Sequence, residues 1–434
     1  MCTALCAAEA MAATYYVSKE TGSNRKDGLS AETPMKNLQK ALDAAPDGFT
    51  ILVAEGNYFG TLDCGNIIVS KPVTIVGGYS ADFKERDVLK HRTMVQPSAE
   101  SNGTSKGEGT LQINTKSGGN VVIDGLLFDR GNSIAYNMNP DPAKAGRPEG
   151  VASGMMAPIG SKGKGGPDLN EDVFTTQTSE IYLDNPNVNF TIRNCSFVNA
   201  PNYAIRGMFN GAGEVTNNIF VNNRMAAVEV RGSNANKKST MKFKNNTIMF
   251  AWSRLKDQLD MGYGYRYLPG IDVYVDNNII GCTIFSGLDR THLDSDKKKE
   301  SQRITTATNN VFFLNKKADL AIPGGGLFKS VWAKDFEDVE ALNEVEGNKT
   351  LKDASVFKGR IDEAYLNGFL NATYKETTDF SPNSPANTFR AAMGMNLVGT
   401  MQSSASMFAN RYPFEKALEL FGAMEKVGAQ IPSK

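Results

Sequence analysis

Apolar and polar positions alternate over short stretches that recur along the middle of the chain, each interrupted by glycine or asparagine. The segments VIDGLLF (122–128), TIRNCSF (191–197), EVTNNIF (214–220), KFKNNTI (242–248), YVDNNII (274–280) and TATNNVF (306–312) superpose without gaps. Counted from the apolar residue that opens each unit (Ile123, Ile192, Val215, Phe243, Val275, Ala307), the steps are 69, 23, 28, 32 and 32 residues. Steps in the twenties with variable additions predict a coil of short strands with loops thrown out between them. The 69-residue step leaves room for further turns and an insertion.

Asparagine is a poor strand former, so its doubling inside these units needs a reason. Alternation puts Val215 and Asn217 on one side of a strand and Phe220 on the other, unless the chain turns a corner between them. A corner needs a residue that tolerates left-handed backbone, and asparagine is the usual choice after glycine. The expectation is that Asn217 faces inward, Asn218 makes the bend and Phe220 returns to the core. With coils stacked at ~4.8 Å, Asn194, Asn217, Asn245, Asn277 and Asn309 fall one above another. Their amides can then satisfy each other where they would be expensive to bury alone.

The pattern predicts an all-β fold, a right-handed parallel β-helix. The opening TYYVSKETGSNRKDGLSAETPMKNLQKALDAAPDGFTILVAEGNYFG resembles that of secreted β-helix proteins of the pectate-lyase-like superfamily. In that pattern a first strand and a turn precede a short amphipathic helix that caps the open end of the coil. Here PMKNLQKALDAA sets Leu38, Ala41, Leu42 and Ala45 on one face. The resemblance covers roughly residues 14–330. It implies the fold, while the superfamily hosts lyases, hydrolases, epimerases, esterases, adhesins and passive surface proteins. The polygalacturonase, mannuronan epimerase, pectin methylesterase and Asn-Gly-Gly-Glu lyase motifs are all missing, so no active site transfers residue by residue.

Composition narrows the functions. Lys and Arg total 47, as do Asp and Glu, so no global field draws the protein to nucleic acid or an anionic membrane. No apolar run is long enough to span a bilayer. Residues 1–12 contain an Ala10-Met11-Ala12 cleavage pattern and read as the remnant of a secretory signal. The expected location is therefore secreted, periplasmic or cell-surface. The five cysteines are too scattered to suggest a disulfide framework or a zinc site.

Candidate chemistry lies on the outside of the coil. NYAIRG (202–207) and AVEVRG (227–232) align Arg206 with Arg231 as equivalent outward residues on adjacent coils. Stacked like charges need an anion, or an acid such as Glu229, between them. Lys242 and Lys244 open the next coil. A basic ladder of this kind suits the carboxylates of a uronic-acid polymer, and in a lyase Arg206, Arg231 and Lys244 would neutralise the carboxylate and assist proton abstraction. The alternative is a set of solvated charges paired with neighbouring acids. WSRLKDQLDMGYGYRYLPG (252–270) reads as an aromatic loop in which Trp252, Tyr263, Tyr265 and Arg266 join Lys242 in binding sugar. Asp257 and Asp260 in that stretch are weak candidates for calcium, the one cofactor considered. The segment 136–173, rich in Gly, Pro and Lys, reads as a long loop.

Asparagine corners are expected to stop near residue 335. Residues 336–434, with helix-compatible stretches, would then cover the end of a coil spanning 13–335. The leading expectation is a monomeric exported protein that binds, and as a lyase cleaves, an acidic polysaccharide or cell-surface glycan. The contrasting one is a non-catalytic structural or adhesin-like stalk.

Overall fold

The computed structural model describes residues 14–60, 66–96, 108–129, 179–351 and 426–432, with breaks at 199, 201–202, 224, 234–238, 252–261, 269, 284, 291–304, 316–317, 325–326 and 332–343. Its strands cycle through three sheets, so each strand hydrogen-bonds to its counterpart one coil away. Sheet 1 has ten strands, from Thr14–Val17 to Glu344–Glu346; sheet 2 has nine, from Gly56–Tyr58 to Lys349–Leu351; sheet 3 has nine, from Ile67–Val69 to Leu327–Val331. Pairing is parallel throughout except between the last two strands of sheet 3, Ala318–Gly324 and Leu327–Val331. The molecule is a parallel β-helix.

The opening apolar residues of the repeats form one inward column. Ile123, Ile192, Val215, Phe243, Val275 and Ala307 are in register and fully buried. Asn120–Asp124 pairs directly with Asn189–Arg193, so the 69-residue step is a single coil and not several turns. In sheet 2, Phe128, Phe197 and Phe220 stack with centroids 4.9 and 4.8 Å apart. Burying each such ring contributes on the order of 2–3 kcal/mol.

Two residues link sheet 1 to sheet 2 at every coil from Asp124 onward. The first always has left-handed backbone: Gly125, Asn194, Asn217, Asn245, Asn277, Asn309 and Gly347 have φ between 52° and 71°. The second is turned inward. The expected division of labour is therefore reversed, for Asn217 makes the bend and Asn218 is buried. Asn218, Asn246, Asn278, Asn310 and Asn348 form an internal ladder, each Nδ2 donating to the next Oδ1 at 2.9–3.2 Å. The same Oδ1 atoms accept the backbone N–H of the preceding rung, and Nδ2 also reaches carbonyls such as Ile192 and Val215. The left-handed bend frees backbone groups from the sheet ladder, and the buried amide is what satisfies them.

The ladder's last rung, Asn348, lies beyond residue 335. The coil continues through Glu344–Glu346 and Lys349–Leu351, so the asparagine corners do not stop where the sequence pattern seemed to fade. A second left-handed corner, between sheets 2 and 3, is made by Asn222, Phe250, Cys282 and Leu314.

At the other end, the helix Leu38–Ala44 begins at Asn37, whose side chain accepts from Lys40 N at 3.0 Å. It ends at Ala45, held extended by the following proline. Leu38, Ala41, Leu42 and Ala45 join the same core as Ile51 and Ile67. Gln39 pairs with both backbone groups of Ile68 in the edge strand of sheet 3, accepting at 2.7 Å and donating at 3.2 Å. The apolar face plugs the core and the polar face satisfies the edge, as expected of a cap. This is the one helix among the described residues; of the helix-compatible stretches 335–345 and 412–427, Glu344 and Val345 belong to a strand, Lys426 and Val427 to a bend, and the rest lie outside the described residues.

Candidate functional site

The outer face of sheet 3 collects the three candidate arginines, in a register that differs from the expected one. Arg206 lies opposite Glu229, and Arg231 lies opposite Met208. The two arginines are thus one row apart instead of stacked. Along the first row, neighbours in successive strands are Gln112, Tyr182, Arg206, Glu229, Arg266 and Asp289. Four of these alternate in charge. Arg206 Nε is 3.5 Å from Glu229 Oε1, Arg266 Nη1 is 3.2 Å from Glu229 Oε2, and Arg266 Nε is 3.5 Å from Asp289 Oδ1. The two ends of the row differ in burial, with 38% side-chain exposure at Arg206 and 0% at Asp289. Burial alone would weaken the charge of Arg266, but Tyr263, Asp289 and Glu229 outweigh it and hold the guanidinium above its ordinary range.

Both row arginines also lie over aromatic rings, Arg206 at 4.8 Å from the Tyr203 centroid and Arg266 at 4.7 Å from that of Tyr263. Tyr203 and Tyr263 belong to a small satellite cluster with Met225 and Phe285.

Arg231 differs from them. It is exposed, its Nη2 lies 3.8 Å from Met208 Sδ, and no carboxylate of the described residues is within ion-pair distance. Two strands away, in the row of Arg206, stands Tyr182, which the sequence reading missed. Its phenol is pushed up by partial burial first, then by Glu108 and Asp184, with Arg206 and Arg231 pulling the other way.

Lys242 and Lys244 do not extend this face. They lie on sheet 1, in the strand Ser239–Lys244, where Lys242 is in register with Glu214 and Tyr274. Lys244 Nζ is 3.4 Å from Asp276 Oδ2. The aromatic stretch is not a loop where it is described: Tyr263–Tyr267 is a strand of sheet 3. Tyr265 and Tyr267 point into the coil and Tyr263 is 1% exposed, so Tyr265 stacks on Phe243 (4.6 Å) and is closed off from any polymer. Alternation explains this, since Tyr265 and Tyr267 share one side of the strand and Arg266 takes the other. Trp252, Asp257, Asp260 and the segment 136–173 lie outside the described residues.

Among the described residues no group of three or more His, Cys, Asp or Glu is arranged to hold a metal ion. His91 sits between two carboxylates, Glu55 Oε2 at 3.1 Å and Glu85 Oε2 at 3.3 Å, near the N-terminal end of the coil. Cys195 and Cys282 are free and buried.

No protein-family model matches the chain, and no curated protein matches it in sequence.

Proposed function

We propose that the protein is an exported β-helix of the pectate-lyase-like kind that binds an acidic polysaccharide across the outer face of sheet 3. The observation that carries this reading is Arg231, an exposed cation without a carboxylate partner among the described residues, one row from Arg206, which is itself in register with Tyr182. A parallel sheet presents such groups at a regular spacing on a rigid surface, which suits a polymer whose carboxylates also recur. The aromatic faces of Tyr203 and Tyr263 are already covered by arginines, so charge rather than stacking would do the recognising.

Cleavage by β-elimination would need a base as well as a carboxylate clamp. Tyr182 is the titratable hydroxyl on this face, and with its acidity weakened it stays protonated near neutral pH. Binding is therefore the better supported half of the reading. A second reading, a passive stalk or adhesin, draws on the row from Arg206 to Asp289, whose charges neutralise one another within the sheet.

The test is isothermal titration with polyuronates and neutral glucans, alongside absorbance of newly unsaturated chain ends. Binding of a polyuronate that falls at least tenfold in the Arg206→Ala/Arg231→Ala double variant supports glycan recognition. Absence of binding to any acidic polymer, or binding that the double variant leaves unchanged, overturns it and favours the stalk.

A further inference from the structure

The last described residues, 426–432, do not sit at the end of the coil. They run lengthwise along the corner between sheets 1 and 2, crossing the strands. Asn277 anchors the segment twice: its carbonyl accepts from Gly428 N at 3.0 Å and its Nδ2 donates to Lys426 O at 2.9 Å. One coil earlier, Thr247 Oγ1 accepts from Ala429 N at 2.9 Å. One coil earlier again, Asn217 Oδ1 accepts from Gln430 N at 2.6 Å and Asn217 Nδ2 donates to Gln430 O at 3.1 Å. Pro432 then reaches a crevice with Val88, Leu89, Leu127 and Cys195. The segment advances one residue per coil over 428–430, and its partners lie 149 to 213 residues away in sequence.

Two features make this a fitted groove. Gly428 has φ of 77°, and a Cβ there would come within 2.5 Å of Thr247 Oγ1 and 2.8 Å of Ile279 Cδ1. Ala429 is 1% exposed. The corner asparagines therefore have a second use beyond bending the chain, because the outward amides of Asn217 and Asn277 read a peptide backbone. We propose that this corner is a docking groove for a peptide segment bent at its start, that its occupant is the chain's own segment Lys426–Pro432, and that the docked segment clamps successive coils which otherwise meet only their nearest neighbours.

The proposal is tested on the full chain with two variants, Gly428→Val, which cannot approach Thr247, and Gln430→Pro, which lacks the N–H given to Asn217. Amide hydrogen exchange is followed at Asn217, Asn245 and Asn277, and binding of a fluorescent peptide of residues 424–434 by anisotropy. The expected result is exchange at least tenfold faster in both variants, with the β signal in circular dichroism retained. The variants should take up the peptide, and wild type, already occupied, should not. Unchanged exchange in both variants overturns the clamp. A peptide that binds neither variant, or binds wild type equally well, overturns the groove. Loss of the β signal that the peptide does not restore overturns both, since a detachable segment leaves the coil folded.

Discussion

Arg206 stands in register with Glu229 of the next coil, Nε 3.5 Å from Oε1, and the same carboxylate meets Arg266 on its other side. One acid thereby pairs with a cation on each of the two coils that flank its own. Replacing Glu229 by Ala should destabilise the fold by about 2 kcal/mol, because Arg266 is largely buried and keeps only Asp289. The same change frees Arg206, so affinity for a polyuronate should rise where binding occurs on this face. Urea denaturation and titration calorimetry on the one variant check both outcomes.

The two asparagines of a corner should respond in opposite ways. Asn246→Ala removes a ladder rung and strands the backbone N–H of Asn218 in the core, at a cost of about 3 kcal/mol. Asn245→Gly keeps the left-handed bend without a steric penalty and should be within about 0.5 kcal/mol of wild type, whereas Asn245→Ala should cost about 1 kcal/mol. Midpoints of chemical denaturation for the three variants separate these effects.

Tyr265 carries a buried hydroxyl without a hydrogen-bond partner, and burial pushes its acidity far from the ordinary range. Tyr265→Phe keeps the ring against Phe243 and discards the unpaired group. It should leave stability unchanged or raise it by about 1 kcal/mol, with no effect on glycan binding. A loss above about 1 kcal/mol would show that the hydroxyl is satisfied in solution.

Cys195 is pushed up to about 12, chiefly by burial, and burial also raises Cys282. The thiolate is the reactive species, so neither should be alkylated by iodoacetamide in the native protein at neutral pH. Both should react within minutes in denaturant. Peptide mass mapping reads the outcome, and native labelling at Cys195 would contradict the closed corner.

Glu85 is held below the usual carboxylate range by its bonds to Lys90 first and His91 second. A lowered acid contributes stability that is present above its unfolded pKa, about 4.3, and lost as pH falls through the lower folded value. Hydrogen exchange in the 80–91 turn should therefore accelerate as pH drops below about 4 after correction for intrinsic rates. Glu85→Gln should remove that dependence.

The coil was legible because its inward column repeats with little noise, from Ile123 to Ala307. Which asparagine bends and which is buried was not, since either order satisfies the spacing and only backbone geometry decides. The register on sheet 3 could have been read. The coil step from Ile192 to Val215 is 23 residues, and the same step carries Arg206 onto Glu229. The shared Arg-Gly pair at 206 and 231 is two residues out of phase with it and misled the alignment. Tyr263, Tyr265 and Tyr267 were mistaken for a sugar-binding loop because their composition outweighed their alternation, which marks a strand with Tyr265 and Tyr267 on its inner side. The lengthwise course of 426–432 had no sequence signal, for its partners are contributed by residues far upstream.

From Asp124 to Glu346 the passage between sheets 1 and 2 never varies from two residues, while the lengths of the other two junctions differ from coil to coil. That corner works as a fixed ruler. An added residue there would throw one buried amide out of line with those above and below it, and the fault would be felt on both sides. The other two junctions carry no such gauge. They are where foreign segments could be grafted, and where a family of such chains would be free to diverge in size and specificity while the column of amides kept count.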